Sequence, residues 1–283
     1  MMLAFLLAAA LTFLPDDARF ARSFADSFVS ACTPRDAGTI RGRIAANYIL
    51  DETSKLGADV RRDVFTAVTP KGPRQFTNLF CEFPSSTSTN WVVLVSHFDT
   101  KPGTACPGAN DGASTTALLV SLVNVLGRAD RLGANVMLLW TDGEESMVQY
   151  GDTDGFWGSK RMAHRLKNEG RAVRAVICAD MLGDEDLHIS VPANGSATLA
   201  KIAEKAAERI GCAGLVRSIP EFVKDDHVAF IDCGFRAIDL IDFSYGPDNA
   251  YWHTAQDTMA HVSEESLLKS GRLLVELLNI LMR

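Results

Sequence analysis

Residues 135–146 read NVMLLWTDGEES, and the fold turns on this stretch. Val136 to Leu139 form an apolar run that reads as a buried strand. It ends in a Gly-containing turn and then in two adjacent carboxylates, Glu144 and Glu145. Like charges repel, and burying one carboxylate already costs free energy or shifts its pKa. A lone Glu-Glu pair is most often a solvated loop. The rest of the chain argues against that reading here.

Working outward, apolar runs of the same kind recur and alternate with amphipathic stretches. Residues 16–31 and 36–56 carry helical periodicity, and residues 59–69 and 76–83 alternate in the strand manner. Val92 to Val95 predict a buried strand, followed by a helix over 112–129 and the strand already quoted. Beyond it come a helix over 158–170, strands over 172–180 and 186–191, and a helix over 196–211. A strand over 235–243 and a last helix over 263–283, with Ser263 as N-cap, close the chain. Strands alternating with helices predict an α/β fold, a three-layer α/β/α sandwich on a mixed, mostly parallel central sheet. No long Gly/Ser/Pro linker interrupts it, so residues 16–283 read as one domain.

Composition limits the partners. The 283 residues carry a net charge of -7 with no basic run, which argues against nucleic acid and anionic membrane. Residues 1–15 form a separate apolar segment. Its uncharged run, Leu3 to Leu14, is too short for a comfortable membrane span and suits the core of a signal peptide, with Ala8-Ala9-Ala10 as a small-residue step. The expected location is exported, periplasmic or secreted, although no Lys or Arg precedes the run. The six cysteines are an even number but include no CxxC pair, so a cysteine-centred metal site is not expected.

The chemistry gathers where the strands end. The first central strand ends in His97 and Asp99. Asn110-Asp111-Gly112 introduces the next helix, and the following strands end in Glu144-Glu145 and Asp180. The last strand is followed by Trp252-His253. Active sites of open α/β sheets lie outside the carboxyl ends of strands. Each residue alone has a plain structural role: a core histidine, an N-cap or a turn acid. Together they supply the imidazole and carboxylate ligands that zinc accepts, without thiolates. One glutamate of the pair can hold the metal while the other stays free as a general base. Asp99 reads equally as a partner for His97 or as a turn residue.

These residues resemble a known superfamily. SHFDTK (96–101), PGANDGAS (107–114), TDGEES (141–146), CADMLGD (178–184) and YWHTAQDT (251–258) are similar to the zinc aminopeptidases and to their relatives, the glutaminyl-peptide cyclotransferases. The likeness runs from about Thr33 to the C-terminus. Tyr150 and Asp154 within SMVQYGDTDGFW, the stretch KDDHVAF (224–230) and Trp252 before His253 favour the cyclotransferases. The chain departs from them in carrying Tyr150 where Trp is common, Ser96 where a cysteine stands, Asp239 where a His is usual, and a longer SYGPDNAY (244–251).

The resemblance implies that Asp111, Glu145 and His253 hold a zinc ion and that Glu144 is the general acid/base. It implies a hydrogen-bonded acidic pair of Asp180 and Asp225, and a pocket walled by Trp252 and Tyr150. In the aminopeptidase pattern His97 and Asp180 would hold a second zinc with Asp111 bridging. The implied substrate is a peptide N-terminus and the implied state a monomer. One zinc and ring closure of an N-terminal Gln, or two zincs and hydrolysis, both remain open. None of Asp111, Glu144, Glu145 and His253 is missing, which argues against a non-catalytic module on the same fold.

Overall fold

The structure, a computed structural model, describes residues 10–283. Two helices lead, α1 (Pro15–Cys32) and α2 (Ile40–Lys55), followed by the hairpin β1 (Val60–Thr69) and β2 (Gly72–Phe83). Then come β3 (Trp91–His97), α3 (Thr115–Gly127), β4 (Asn135–Thr141), α4 (Trp157–Asn168) and β5 (Val173–Asp180). The last third holds β6 (Ile189–Pro192), α5 (Ala197–Arg209), β7 (Val216–Ile219), α6 (Asp226–Asp232), β8 (Ala237–Ile241) and α7 (Glu264–Leu281). The eight strands form one sheet in the order β1-β2-β4-β3-β5-β8-β6-β7. Its centre, β4-β3-β5-β8, is parallel, while β2 joins β4 and β6 joins β8 antiparallel. The sheet is mixed and covered on both faces, as the alternation of elements predicts.

The period of two in each strand sorts its side chains between two cores. Val92 and Leu94 of β3, Ala175 and Ile177 of β5, and Leu240 of β8 pack with α1, α3, α5 and α7. Val93, Val95, Val176, Cys178 and Ala237 face the other way, onto Met162 and Leu166 of α4 and Phe230 of α6. Continuing the β3 and β5 series to the strand's carboxyl end puts His97 and Asp180 on the α4/α6 side, and Asp239 lies on that side within β8. These polar residues belong to core-facing rows, which is why they are buried.

Two short elements escaped the sequence reading. α6 has seven residues and β7 four, too few for periodicity to show. β2 also begins earlier than residue 76, at Gly72, because Pro73 pairs with Val68 on the hairpin arm.

The small-residue step at Ala8-Ala9-Ala10 lies almost wholly outside the described residues. Beyond that step, two described residues of the apolar segment are packed. Leu11 and Phe13 are buried, and Asn279 both accepts from Leu11 N and donates to Leu11 O. A Cβ on Gly271 would lie 2.3 Å from the Phe13 ring, so the glycine makes the seat for that side chain. Leu11 and Phe13 therefore pack into the folded body.

A second close approach packs α4 against the sheet. A Cβ on Gly158, in the first turn of α4, would lie 2.4 Å from Asn78 Oδ1 and 2.7 Å from the Asp142 carbonyl oxygen. Gly158→Ala is expected to cost about 1–3 kcal/mol of stability, the usual range for overpacking. Denaturant unfolding measures it, and a loss too small to resolve would show that α4 shifts freely.

Candidate active site

The TDGEE turn is held by one buried carboxylate. Asp99 Oδ1 accepts the backbone N–H of Gly143 (3.0 Å) and Glu144 (3.2 Å), and Oδ2 accepts that of Glu145 (3.1 Å). Asp99 is thus chiefly a turn residue. Its nearest approach to His97 Nδ1, 3.6 Å, is too long for a hydrogen bond. The two glutamates stand on a backbone that cannot move freely.

Asp111 sits in a break between the loop and α3, at Gly112 with φ +90°. Asp257 accepts from Asn110 N (2.7 Å), Asp111 N (3.2 Å) and the Tyr245 hydroxyl (2.8 Å). From the other side Arg35, fully buried, donates to the carbonyl oxygens of Phe98 (2.5 Å), Pro107 (2.7 Å), Gly108 (2.5 Å) and Asp111 (3.3 Å). A guanidinium normally finds a carboxylate. Here its donors tie together the loop that carries Asp111.

Asp111 lies between two imidazoles. His97 Nε2 is 3.2 Å from Asp111 Oδ1 and 3.1 Å from Asp180 Oδ1. His253 Nε2 is 3.2 Å from Asp111 Oδ2 and 2.9 Å from Glu145 Oε1. Two groups result, His97–Asp111–Asp180 and Asp111–Glu145–His253, each with its donor atoms within 4.8 Å of one another. Burial alone would lower the pKa of His253, but Asp111 and Glu145 outweigh it and hold it at about 9. His253 also adopts φ +58°, a left-handed backbone rare outside glycine and a sign of local strain. Asp111 Oδ2 faces His253 without hydrogen-bond geometry and has no other partner. Converging carboxylate oxygens and imidazole nitrogens, one oxygen left unsatisfied and no thiolate, fit a divalent metal ion.

Glu144 belongs to neither group. It is buried, and burial first, then the charge of Glu145, raise its pKa well above the ordinary carboxylate range. Tyr150 joins the two glutamates, donating its hydroxyl to Glu145 Oε2 (2.6 Å) and more weakly to Glu144 Oε2 (3.3 Å). The phenol therefore does more than wall the pocket. Lys101 lies over its ring, 4.2 Å from the centroid, with Nζ 3.3 Å from Glu145 Oε2. A cavity of about 310 Å³ opens beside Glu144, and Asp111, Glu145, Tyr150, Asp180, Asp225 and His253 all border it. Phe222, Phe243 and Trp252 form its apolar rim. Trp252 stacks on His253 at 3.9 Å.

Asp180 and Asp225 border the same cavity. Asp180 is taken by His97, and Asp225, the N-cap of α6, accepts from Asp226 N. They remain electrostatic neighbours. Burial, then the charge of Asp180, push the Asp225 carboxyl well up, and burial raises Asp180 to about 6.

Arg35, Lys101 and Asp257 carry no signal that the sequence reading used, although Lys101 and Asp257 lie inside quoted motifs. Asp154 accepts from the N–H groups of Met147, Val148 and Gln149, which ties down the loop bearing Tyr150. His164 and His188 are exposed, and Trp157 stacks on Phe76 at 5.1 Å as a packing residue.

An α/β/α sandwich with carboxylate–imidazole groups converging at the ends of its parallel strands fits a metal-dependent enzyme. A sequence model of peptidase family M28 matches residues 78–278, and the chain belongs to that family. It is 27% identical to a glutaminyl-peptide cyclotransferase of Drosophila melanogaster over 79% of this chain and 70% of that protein. It is 27% identical to a glutaminyl-peptide cyclotransferase-like protein of Bos taurus over 92% of this chain and 74% of the other. Among solved structures, an Acidobacteriales bacterium glutaminyl cyclase superposes with a TM-score of 0.88 at 29% identity, covering 99% of this chain and 98% of that one. A leucine aminopeptidase precursor from Bacteroides thetaiotaomicron shares the fold, with a TM-score of 0.84 at 21% identity over 95% of this chain and 99% of that one.

Proposed function

We propose that this protein is a zinc-dependent glutaminyl-peptide cyclotransferase. It converts the N-terminal Gln of peptides to pyroglutamate and releases ammonia. The observation that carries the reading is the likeness to proteins of that name over 79% and 92% of the chain. Asp111, Glu145 and His253 would hold the one zinc ion the reaction needs, and that ion supplies a Lewis acid and template for the side-chain amide carbonyl.

The chain's own residues handle the protons. Glu144 accepts a proton from the α-amine of the Gln. The amine nitrogen bonds to the side-chain amide carbon, and the carbon–nitrogen bond of the amide breaks. Glu144 returns the proton to the departing nitrogen, which leaves as ammonia. Asp180 and Asp225 border the same cavity and hold the amine end of the substrate. Trp252 and Phe243 close the site against water, which matters because water is the competing nucleophile.

Tyr150→Phe keeps the ring over Lys101 and removes one hydroxyl shared with Glu144 and Glu145. Turnover is expected to fall about 3- to 10-fold, one hydrogen bond's worth, with metal content unchanged. Steady-state kinetics beside metal analysis check it, and unchanged turnover would reduce Tyr150 to a wall.

One observation favours the second reading. His97, Asp111 and Asp180 converge as closely as the first group does, which suits two metals and an aminopeptidase. In that case Glu144 would take its proton from water, and the scissile peptide carbonyl would be attacked. Zinc-loaded protein given one peptide beginning Gln-Phe and another beginning Leu-Phe separates the two by mass spectrometry. Loss of ammonia from the first, with the second intact, is expected. Release of free Leu would select the hydrolase.

The proposed location is exported, periplasmic or secreted, and the enzyme acts as a monomer on peptide N-termini. Among the described residues no helix is long and apolar enough to cross a membrane.

A further inference from the structure

Behind the cavity wall lies a third group of ligand-type side chains that neither the metal ligands nor Glu144 account for. Asp225, His227 and Asp239 place their donor atoms within 4.8 Å of one another. All three are buried, with His227 and Asp239 at 0% exposure. Neither ring nitrogen of His227 and neither oxygen of Asp239 has a hydrogen-bond partner. Four unsatisfied polar atoms in one fully buried place are a large cost. An ordinary core histidine or aspartate settles at least one bond.

The fold explains the convergence. Asp239 is the core-facing residue of β8, with Cys178 of β5 as its register partner. α6 lies across that face, with Asp225 as its N-cap and His227 in its first turn. The surroundings are strongly acidic, since Asp180 and Asp226 are also buried close by. The carboxylates facing this group, Asp180 and Asp226, add negative charge beside it.

We propose that Asp225, His227 and Asp239 form a buried site for a divalent cation of the zinc type, separate from the two groups that share Asp111. One imidazole and two carboxylates are ligands zinc accepts, and two negative charges balance a doubly charged ion. Ligand atoms about 2.0–2.2 Å from a zinc lie up to roughly 4.4 Å apart, so small side-chain movements complete the site. The ion would sit under the cavity wall and fix Asp225, whose carboxylate borders the cavity. It is thus a structural ion that positions one residue of the substrate pocket.

The test is an anomalous difference map at the zinc edge from wild-type crystals grown with zinc. The expected result is a peak within about 2.3 Å of a His227 nitrogen and of one oxygen each of Asp225 and Asp239. Density there without anomalous signal, or no density, would overturn the proposal. Metal content of purified Asp239→Asn and His227→Gln gives a second reading. One equivalent less than wild type is expected in each, with the peak at Asp111–Glu145–His253 retained. An unchanged count in both variants overturns the site, whichever reaction the enzyme performs.

Discussion

Glu144→Gln is expected to lower turnover of a Gln-initiated peptide by roughly 10²- to 10⁴-fold, the span that a positioned general acid/base contributes. The substitution is close to isosteric. Its amide oxygen can still accept from Tyr150, and the backbone N–H of residue 144 stays on Asp99. What it removes is the ability to take and return a proton. Burial and the charge of Glu145 raise the pKa of this carboxyl, so it is a stronger base toward an ammonium or amine than an exposed glutamate. Glu144 lies outside both ligand groups, so metal content should match wild type. Steady-state kinetics with metal analysis on the same preparation test both halves. Turnover within a few-fold of wild type would remove Glu144 from the chemistry. Loss of metal together with turnover would make it a ligand instead.

Arg35→Met is expected to cost about 3–5 kcal/mol of stability, among the largest effects a single change can have here. The guanidinium donates to four carbonyl oxygens of the loop between β3 and α3. Each bond from a charged donor is worth about 1.5–3 kcal/mol, and each carbonyl left buried without a partner costs about 1–3. Desolvating the cation offsets part of the sum, as the lowered pKa of Arg35, set mainly by burial, shows. Methionine fills the volume and restores none of the bonds. Because one of those carbonyls belongs to Asp111 itself, weaker metal retention should accompany the loss. Denaturant unfolding and dialysis against a chelator measure the two effects. A loss under about 1 kcal/mol would mean that water replaces the guanidinium without difficulty.

The sequence showed the strands and their ends plainly, because both signals are local. Apolar runs such as Val136 to Leu139 mark a sheet buried on both faces, and a carboxylate or imidazole ending such a run is conspicuous. The two ligand groups around Asp111 follow from those ends. What stayed hidden depends on long-range partners. Arg35 meets its carbonyls 63 to 76 residues away, and Asp257 reaches Asn110 across 147. Neither has a spacing that periodicity can report. The approach of His97 to Asp180, across 83 residues, was hidden for a related reason. The buried group of Asp225, His227 and Asp239 was equally hidden, since it forms only when α6 lies across β8.

The central claim is that the substrate's own amine, and not water, attacks the carbonyl carbon. The direct measurement is the reaction of a Gln-initiated peptide in ¹⁸O-labelled water, with the products weighed by mass spectrometry. A product lighter by one ammonia and free of ¹⁸O is the predicted result. Incorporation of ¹⁸O into a released residue or peptide would show that water is the nucleophile and would contradict the account.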